Sequence, residues 1–117
     1  MEIKTEELVK TVAKAADDKK ALDIVVLDLA GISILSDYFV ICSGKTDVQV
    51  KAIAKAIMDE LEDEFDIELT RKEGMDQARW VLLDYSDVIV HIFHQEEREY
   101  YELERLWGDA KELDWQE

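Results

Sequence analysis

Apolar positions recur along this chain with two different periods, and the alternation between them predicts its elements. Leu8, Val9, Val12, Ala13 and Ala16 fall at helical spacing, which predicts a helix over Thr5–Asp17. Thr5 is placed to cap it, and Glu6 and Glu7 favour the positive end of its dipole. After the polar turn Asp17-Asp18-Lys19-Lys20, the β-branched run Leu22–Leu29 reads as a central strand, ended by Ala30-Gly31. Tyr38–Cys42 reads as a second strand, closed by Ser43-Gly44. Thr46-Asp47-Val48-Gln49 has the spacing of a capping box, so a helix should start there and run through Val50, Ile53, Ala54, Ile57 and Leu61 to about Glu64. Ile67–Thr70 reads as a short strand, and Arg71–Gln77 as a polar loop.

Arg79–Asp84 and Val88–Phe93 read as two strands of a hairpin with its turn at Tyr85-Ser86. A two-residue loop would set Asp84 opposite Asp87, Leu82 opposite Ile89 and Trp80 opposite His91. Period-2 alternation then places Trp80, Leu82, Ile89 and His91 on one face and Val81, Leu83, Val88 and Val90 on the other. Both faces are apolar, so the sheet is either covered on both sides or left with one adhesive face. A last helix is predicted over Gln95–Ala110, anchored by Tyr100, Tyr101, Leu103, Leu106 and Trp107, with Lys111–Glu117 as a frayed tail. The order α-β-β-α-β-β-β-α mixes hairpins with one helical crossover. It predicts an α/β (α+β) domain, residues 1–117, with a mixed five-stranded sheet flanked by helices.

Charge narrows the class of partner. The chain has 117 residues, 48% of them hydrophobic, and a formal net charge of -15. That supplies a core for one domain, while the charge opposes docking on bare nucleic acid and favours a basic protein partner. Solubility alone would also account for it. The single cysteine, Cys42, lies in an apolar run and reads as a small buried hydrophobe in a reducing compartment. No apolar run reaches the roughly 20 residues of a membrane helix, and Met1–Thr5 has no signal core. The expected location is the cytoplasm, with no membrane contact.

Candidate chemistry is sparse. His91 and His94 are three residues apart, which on a strand sends them to opposite sides, and no second cysteine completes a zinc set, so no metal is expected. Ser33, Ser36, Ser43 and Ser86 lack a nucleophile-elbow context. Ser43-Gly44 before a helix N-terminus is a plausible anion turn and is similar to the start of a nucleotidyltransferase site. That chemistry also needs a metal-binding carboxylate pair on a following strand, and Asp66-x-Glu68 opens too short and too distant a strand to supply it. No enzymatic activity, catalytic residue or cofactor is therefore expected, with a nucleotidyltransferase-like nucleotide-binding domain as the rival reading. Trp80 is either a core tryptophan or an interface anchor. His91 is either packed or at an interface, and Tyr100 and Trp107 read more readily as core.

Several segments together resemble one family. Asp23–Leu29, Asp37–Gly44 and Gln49–Ala54 are similar to the first half of the ribosomal silencing factors, also called RsfS or Iojap-like proteins. Glu73-Gly74, Trp80–Tyr85, Asp87–Phe93 and Arg98–Trp107 are similar to the second half. The likeness spans nearly the whole chain in order. One departure is Ser86, where the family usually carries glycine in the hairpin turn. The resemblance implies a nucleotidyltransferase-like fold without catalytic residues. It also implies binding to ribosomal protein number fourteen of the large ribosomal subunit at the subunit interface. The family thereby blocks joining of the small subunit and represses translation when nutrients are scarce. The family's tryptophan falls on Trp80. Strand alternation adds Leu82 and His91 to an apolar partner-binding centre, with Asp84, Asp87 and Glu73 as an acidic rim. The apolar hairpin and the Tyr100-Tyr101 segment also leave a homodimer open.

Overall fold

The computed structural model describes residues 5–29, 37–67, 69–97, 111–113 and 115. The elements fully within the described residues follow in the order α1 (Thr5–Asp18), β1 (Leu22–Asp28), β2 (Tyr38–Gly44), α2 (Asp47–Phe65), β3 (Arg71–Glu73), β4 (Trp80–Asp84), β5 (Val88–His94) and β6 (Lys111–Glu112). The strands form one mixed sheet in the order β3-β4-β5-β2-β1-β6. Only β2 and β5 are parallel, joined by the crossover through α2, while the remaining neighbours are antiparallel. This is the expected mixed five-stranded sheet with helices packed on it, extended by a two-residue edge strand.

The helices cover one face. The buried residues Leu8, Val9, Val12, Ala13, Ala15 and Ala16 of α1, and Val50, Ile53, Ala54, Ile57 and Leu61 of α2, form a single core with Val26, Val40, Cys42, Val81, Leu83, Val88, Val90 and Ile92. Burying each valine, leucine or isoleucine among them gives about 1.5–3 kcal/mol before entropy is subtracted. The other face carries a second buried cluster: Leu27, Leu29, Phe39, Ile41 and Phe93.

Thr46 caps α2 as its spacing predicts, its hydroxyl accepting from the Gln49 amide at 3.1 Å. The return bond goes one residue further than a standard box. The Gln49 carboxamide oxygen accepts from Lys45 N–H at 2.6 Å, and its NH2 donates to the carbonyls of Lys19 (3.2 Å) and Lys20 (3.0 Å) just past α1. One glutamine thus closes the start of α2 and the end of α1.

Four expectations are corrected. The run over 22–29 is not a central strand: β1 lies next to the edge, flanked outward only by β6. It reads as central because Ile24 and Val26 join one cluster while Val25 and Leu27 join the other. The short strand lies at Arg71–Glu73, not over 67–70. Asp66 ends α2 in the left-handed region (φ 54), Ile67 and Leu69 turn to the helix-side core, and pairing begins only where Thr70 N–H reaches the Asp84 carbonyl at 2.8 Å. The tail is not frayed at Lys111–Glu112. These residues pair with Asp28 and Leu27, and Leu113 and Trp115 pack on the core.

The fourth correction concerns the hairpin. Trp80 pairs with Phe93, Leu82 with His91 and Asp84 with Ile89. Tyr85 N–H bonds the Val88 carbonyl at 2.9 Å, so the loop is Ser86-Asp87. The register differs from the expected one by two residues, and because the side-chain period is also two, every residue keeps its expected face. Ser86 takes the left-handed conformation (φ 72) that a γ-turn requires, with Asp87 N–H bonded to the Tyr85 carbonyl at 2.9 Å. The Asp84 carboxylate accepts from Ser86 N–H at 2.8 Å and holds this strained turn. The predicted helix from Gln95 is helical at Gln95–Glu97, and its later positions, Tyr100, Tyr101, Leu103, Leu106 and Trp107 among them, lie outside the described residues.

Candidate interaction surface around Trp80

Pairing across β3, β4, β5 and β2 sets side chains of the second face into rows. One row runs Glu73, Leu82, His91, Ile41, and another runs Arg71, Asp84, Ile89, Phe39. Trp80 and Phe93 begin a third. Toward β2 these rows are buried. Toward β3 they open: Trp80, Leu82, Asp84 and Ile89 keep part of their surface, and Glu73 and Arg71 are exposed. Trp80 is therefore partly buried, with one side on the core and one side outside.

Its inner side is fixed by aromatic contacts. Phe93 stacks on it at 5.1 Å with the rings 28° apart, and His91 lies 5.8 Å away. The indole Nε1–H donates to His91 Nδ1 at 3.0 Å. His91 is only 5% exposed, with Phe39 edge-on to it at 4.7 Å. Burial lowers its pKa to about 4, so the ring is neutral at physiological pH. Nδ1 accepts, so the proton sits on Nε2, a buried atom with no partner among the described residues. His94, three residues on, projects from the opposite face, where its Nε2 lies 3.9 Å from the Asp47 carboxylate.

A loop shapes the approach to Trp80. Gly74 adopts φ +84, and a β-carbon there would collide with the Trp80 carbonyl oxygen. The turn closes through Ala78 N–H to the Gly74 carbonyl at 2.9 Å. Between loop and strand lies a cleft of about 540 Å³ lined by Lys72, Glu73, Gly74, Met75, Asp76, Gln77, Arg79 and Trp80. Its charge is mixed. Arg71 Nε is 3.9 Å from Glu73, and Arg79 Nη1 is 3.4 Å from Glu96 and 4.0 Å from Glu97.

The six residues proposed from sequence are thus distributed unevenly. Glu73, Trp80 and Leu82 lie together at the open end of the face. Asp84 lies four residues along β4, roughly 13 Å from Trp80 at strand spacing, beside Arg71 in register. Asp87 lies beyond it in the turn, its carbonyl accepting from Asp37 (2.9 Å) and Tyr38 (3.1 Å). His91 lies beneath the surface. Sequence reasoning missed Gly74, Met75 and Arg71 as parts of this surface, and Phe93 as its buried support. The correct hairpin register, set by Tyr85 opposite Val88, would have found Phe93 under Trp80.

The strand-turn-helix at Ser43-Gly44 has a different character. The Lys45 and Gln49 amides are bonded to side chains of the chain itself. The space beside Gly44 is filled by Val50, whose Cγ2 would stand 2.9 Å from a β-carbon there.

Residues 2–117 match the family described as ribosomal silencing factor during starvation. A protein of Bacillus subtilis named ribosomal silencing factor RsfS is 55% identical over 103 residues, covering 88% of this chain and 86% of its own. A crystal structure from Chromobacterium violaceum superposes with a TM-score of 0.87 at 32% identity, covering 91% of this chain and 88% of that one. One from Bacillus halodurans gives 0.79 at 46% identity, covering 92% and 97%. A match of this extent makes the chain a member of the ribosomal silencing factor family.

Proposed function

We propose that this protein silences ribosomes in the cytoplasm by docking through Trp80 onto ribosomal protein number fourteen of the large subunit, so that its bulk blocks the small subunit from joining. Family membership supports the ribosomal role. The observation that carries the docking surface is the partial exposure of Trp80, Leu82 and Ile89 together at one end of a sheet face on which Leu27, Leu29, Phe39, Ile41 and Phe93 are buried. A half-exposed tryptophan backed by a stacked phenylalanine is a rigid anchor, and rigid aromatic anchors dominate interface energies. Glu73 near it and Asp84 farther along β4 suit basic residues of a partner, with Arg71 tempering their charge, while Asp87 would engage only a partner that extends along the whole hairpin. Docking of this kind is steric and requires no chemistry. The occupied amides of the Ser43-Gly44 turn support a non-enzymatic reading, because an anion arriving there would compete with Thr46 and Gln49. Among the described residues no helix is long and apolar enough to cross a membrane.

Purified ribosomal protein number fourteen should bind the intact chain in a direct titration. Trp80→Ala should weaken binding by 30-fold or more, from roughly 2 kcal/mol at an aromatic hot spot. An unchanged affinity for Trp80→Ala would remove Trp80 from the interface.

A further inference from the structure

We infer that His91 is a positioning residue for docking: it touches no partner, and it fixes which edge of the Trp80 indole faces outward. The inference rests on the reading of Trp80 as the docking anchor. His91 and Trp80 are not register partners, since Trp80 pairs with Phe93 and His91 with Leu82. Their hydrogen bond therefore runs diagonally across the two strands, at 3.0 Å. Stacking on Phe93 at 5.1 Å sets the plane of the indole. Stacking alone does not set its direction, because the χ2 torsion of an aromatic side chain has two broad wells that present opposite edges. The acceptor at Nδ1 removes this degeneracy. It keeps the Nε1 edge inward and leaves the benzo edge for the partner.

Packing alone does not call for a histidine here. The ring is 5% exposed, with Phe39 edge-on and Phe93 nearly parallel at 6.3 Å and 11°. An apolar side chain would fill the same space without burying Nε2–H, which has no partner among the described residues. A buried donor left without a partner destabilises the fold. What histidine adds over leucine or phenylalanine is Nδ1, and Nδ1 holds the indole. A side chain ordered before binding spares the partner the cost of ordering it.

The test compares His91→Asn, which keeps an oxygen acceptor near the Nδ1 position, with His91→Leu, which keeps bulk and loses the acceptor. Affinity for isolated large subunits is titrated, and the Trp80 indole N–H resonance is followed in the free protein. His91→Leu should weaken docking by about tenfold, the loss of one hydrogen bond, and move the indole resonance. His91→Asn should bind within about twofold of the parent. In a Trp80→Phe background, which has no indole N–H, His91→Leu should have no further effect on docking. Equal weakening by both His91 variants, or an unchanged affinity for His91→Leu, overturns the inference. If His91→Leu does not fold, 15N shifts of the unsubstituted protein decide: a proton on Nε2 with Nδ1 as acceptor supports the inference, and a proton on Nδ1 overturns it. Trp80→Ala separates the two readings. Unchanged docking in that variant refutes the anchor itself, whereas lost docking in Trp80→Ala with full docking in His91→Leu refutes only the role of His91.

Discussion

The backbone at Gly74 lies so close to the carbonyl of Trp80 that no β-carbon fits between them. The contact ties the loop after β3 to the first residue of β4, and it is reinforced by a φ of +84, where side chains other than glycine are strained. Gly74→Ala should therefore destabilise the protein by about 2 kcal/mol or more, because both strain and collision act. Denaturant midpoints will show the loss. Since the displaced atom belongs to Trp80, docking on large subunits should fall with it, measured at a temperature where the variant is folded.

Ser86 presents the opposite case. It holds φ 72 in the turn between β4 and β5 without being glycine. Left-handed backbone costs a non-glycine residue about 1 kcal/mol. The Ser86 hydroxyl lies 3.2 Å from that of Thr70, but the contact is exposed and offsets little. Ser86→Gly should raise stability by about 0.5 kcal/mol, read as a higher urea midpoint at unchanged m-value. A lower midpoint would mean that the Thr70 contact outweighs the strain.

Gln49 ties the start of α2 to the end of α1, away from Trp80. It bonds Lys45 N–H and the Lys19 and Lys20 carbonyls, and α2 packs on the sheet face opposite Trp80. Gln49→Ala should cost about 1–2 kcal/mol of stability and leave docking unchanged. It is the control against which losses at Gly74 and Trp80 are judged.

Stability should also depend on pH through His91. Its folded pKa of about 4 lies below the ordinary 6.5 because burial disfavours the charged ring. The unfolded chain thus binds the proton more readily. The contribution is complete above about pH 6.5 and is lost as pH falls toward 4, a change of roughly 3 kcal/mol at the full shift. Urea midpoints measured between pH 7 and 4 should fall, and His91→Leu should flatten part of that fall. A slope identical in the two proteins would show that other groups account for it.

Much of this molecule was legible in its sequence because it rests on periodicity. The stripe of α1, the Thr46 cap and the two faces of the β4–β5 hairpin follow from spacing, and the faces survived an error in register because that error was an even number of residues. What spacing does not encode is where a strand sits in the sheet. The run over 22–29 reads as central because both its faces are apolar, yet it lies beside the edge. The strand at Arg71–Glu73 has no apolar residue at all and exists because β4 offers it a ladder. Leu113 and Trp115 fall in what reads as a frayed tail, yet their apolar surface docks on the core. At the candidate site, alternation sets Trp80 and Leu82 on one face, and the structure brings Glu73 beside Leu82. The burial of His91 was not legible, since a histidine on a strand face reads the same whether its ring is covered or open.

The central claim is that the Trp80 surface blocks subunit joining. Purified large and small subunits, mixed under conditions in which they join, are sedimented through a sucrose gradient with and without the protein. The protein should migrate with the large subunit, the joined-ribosome peak should fall, and Trp80→Ala should remain at the top of the gradient with joining restored. Undiminished joined ribosomes, with the unsubstituted protein at the top of the gradient, would contradict the claim.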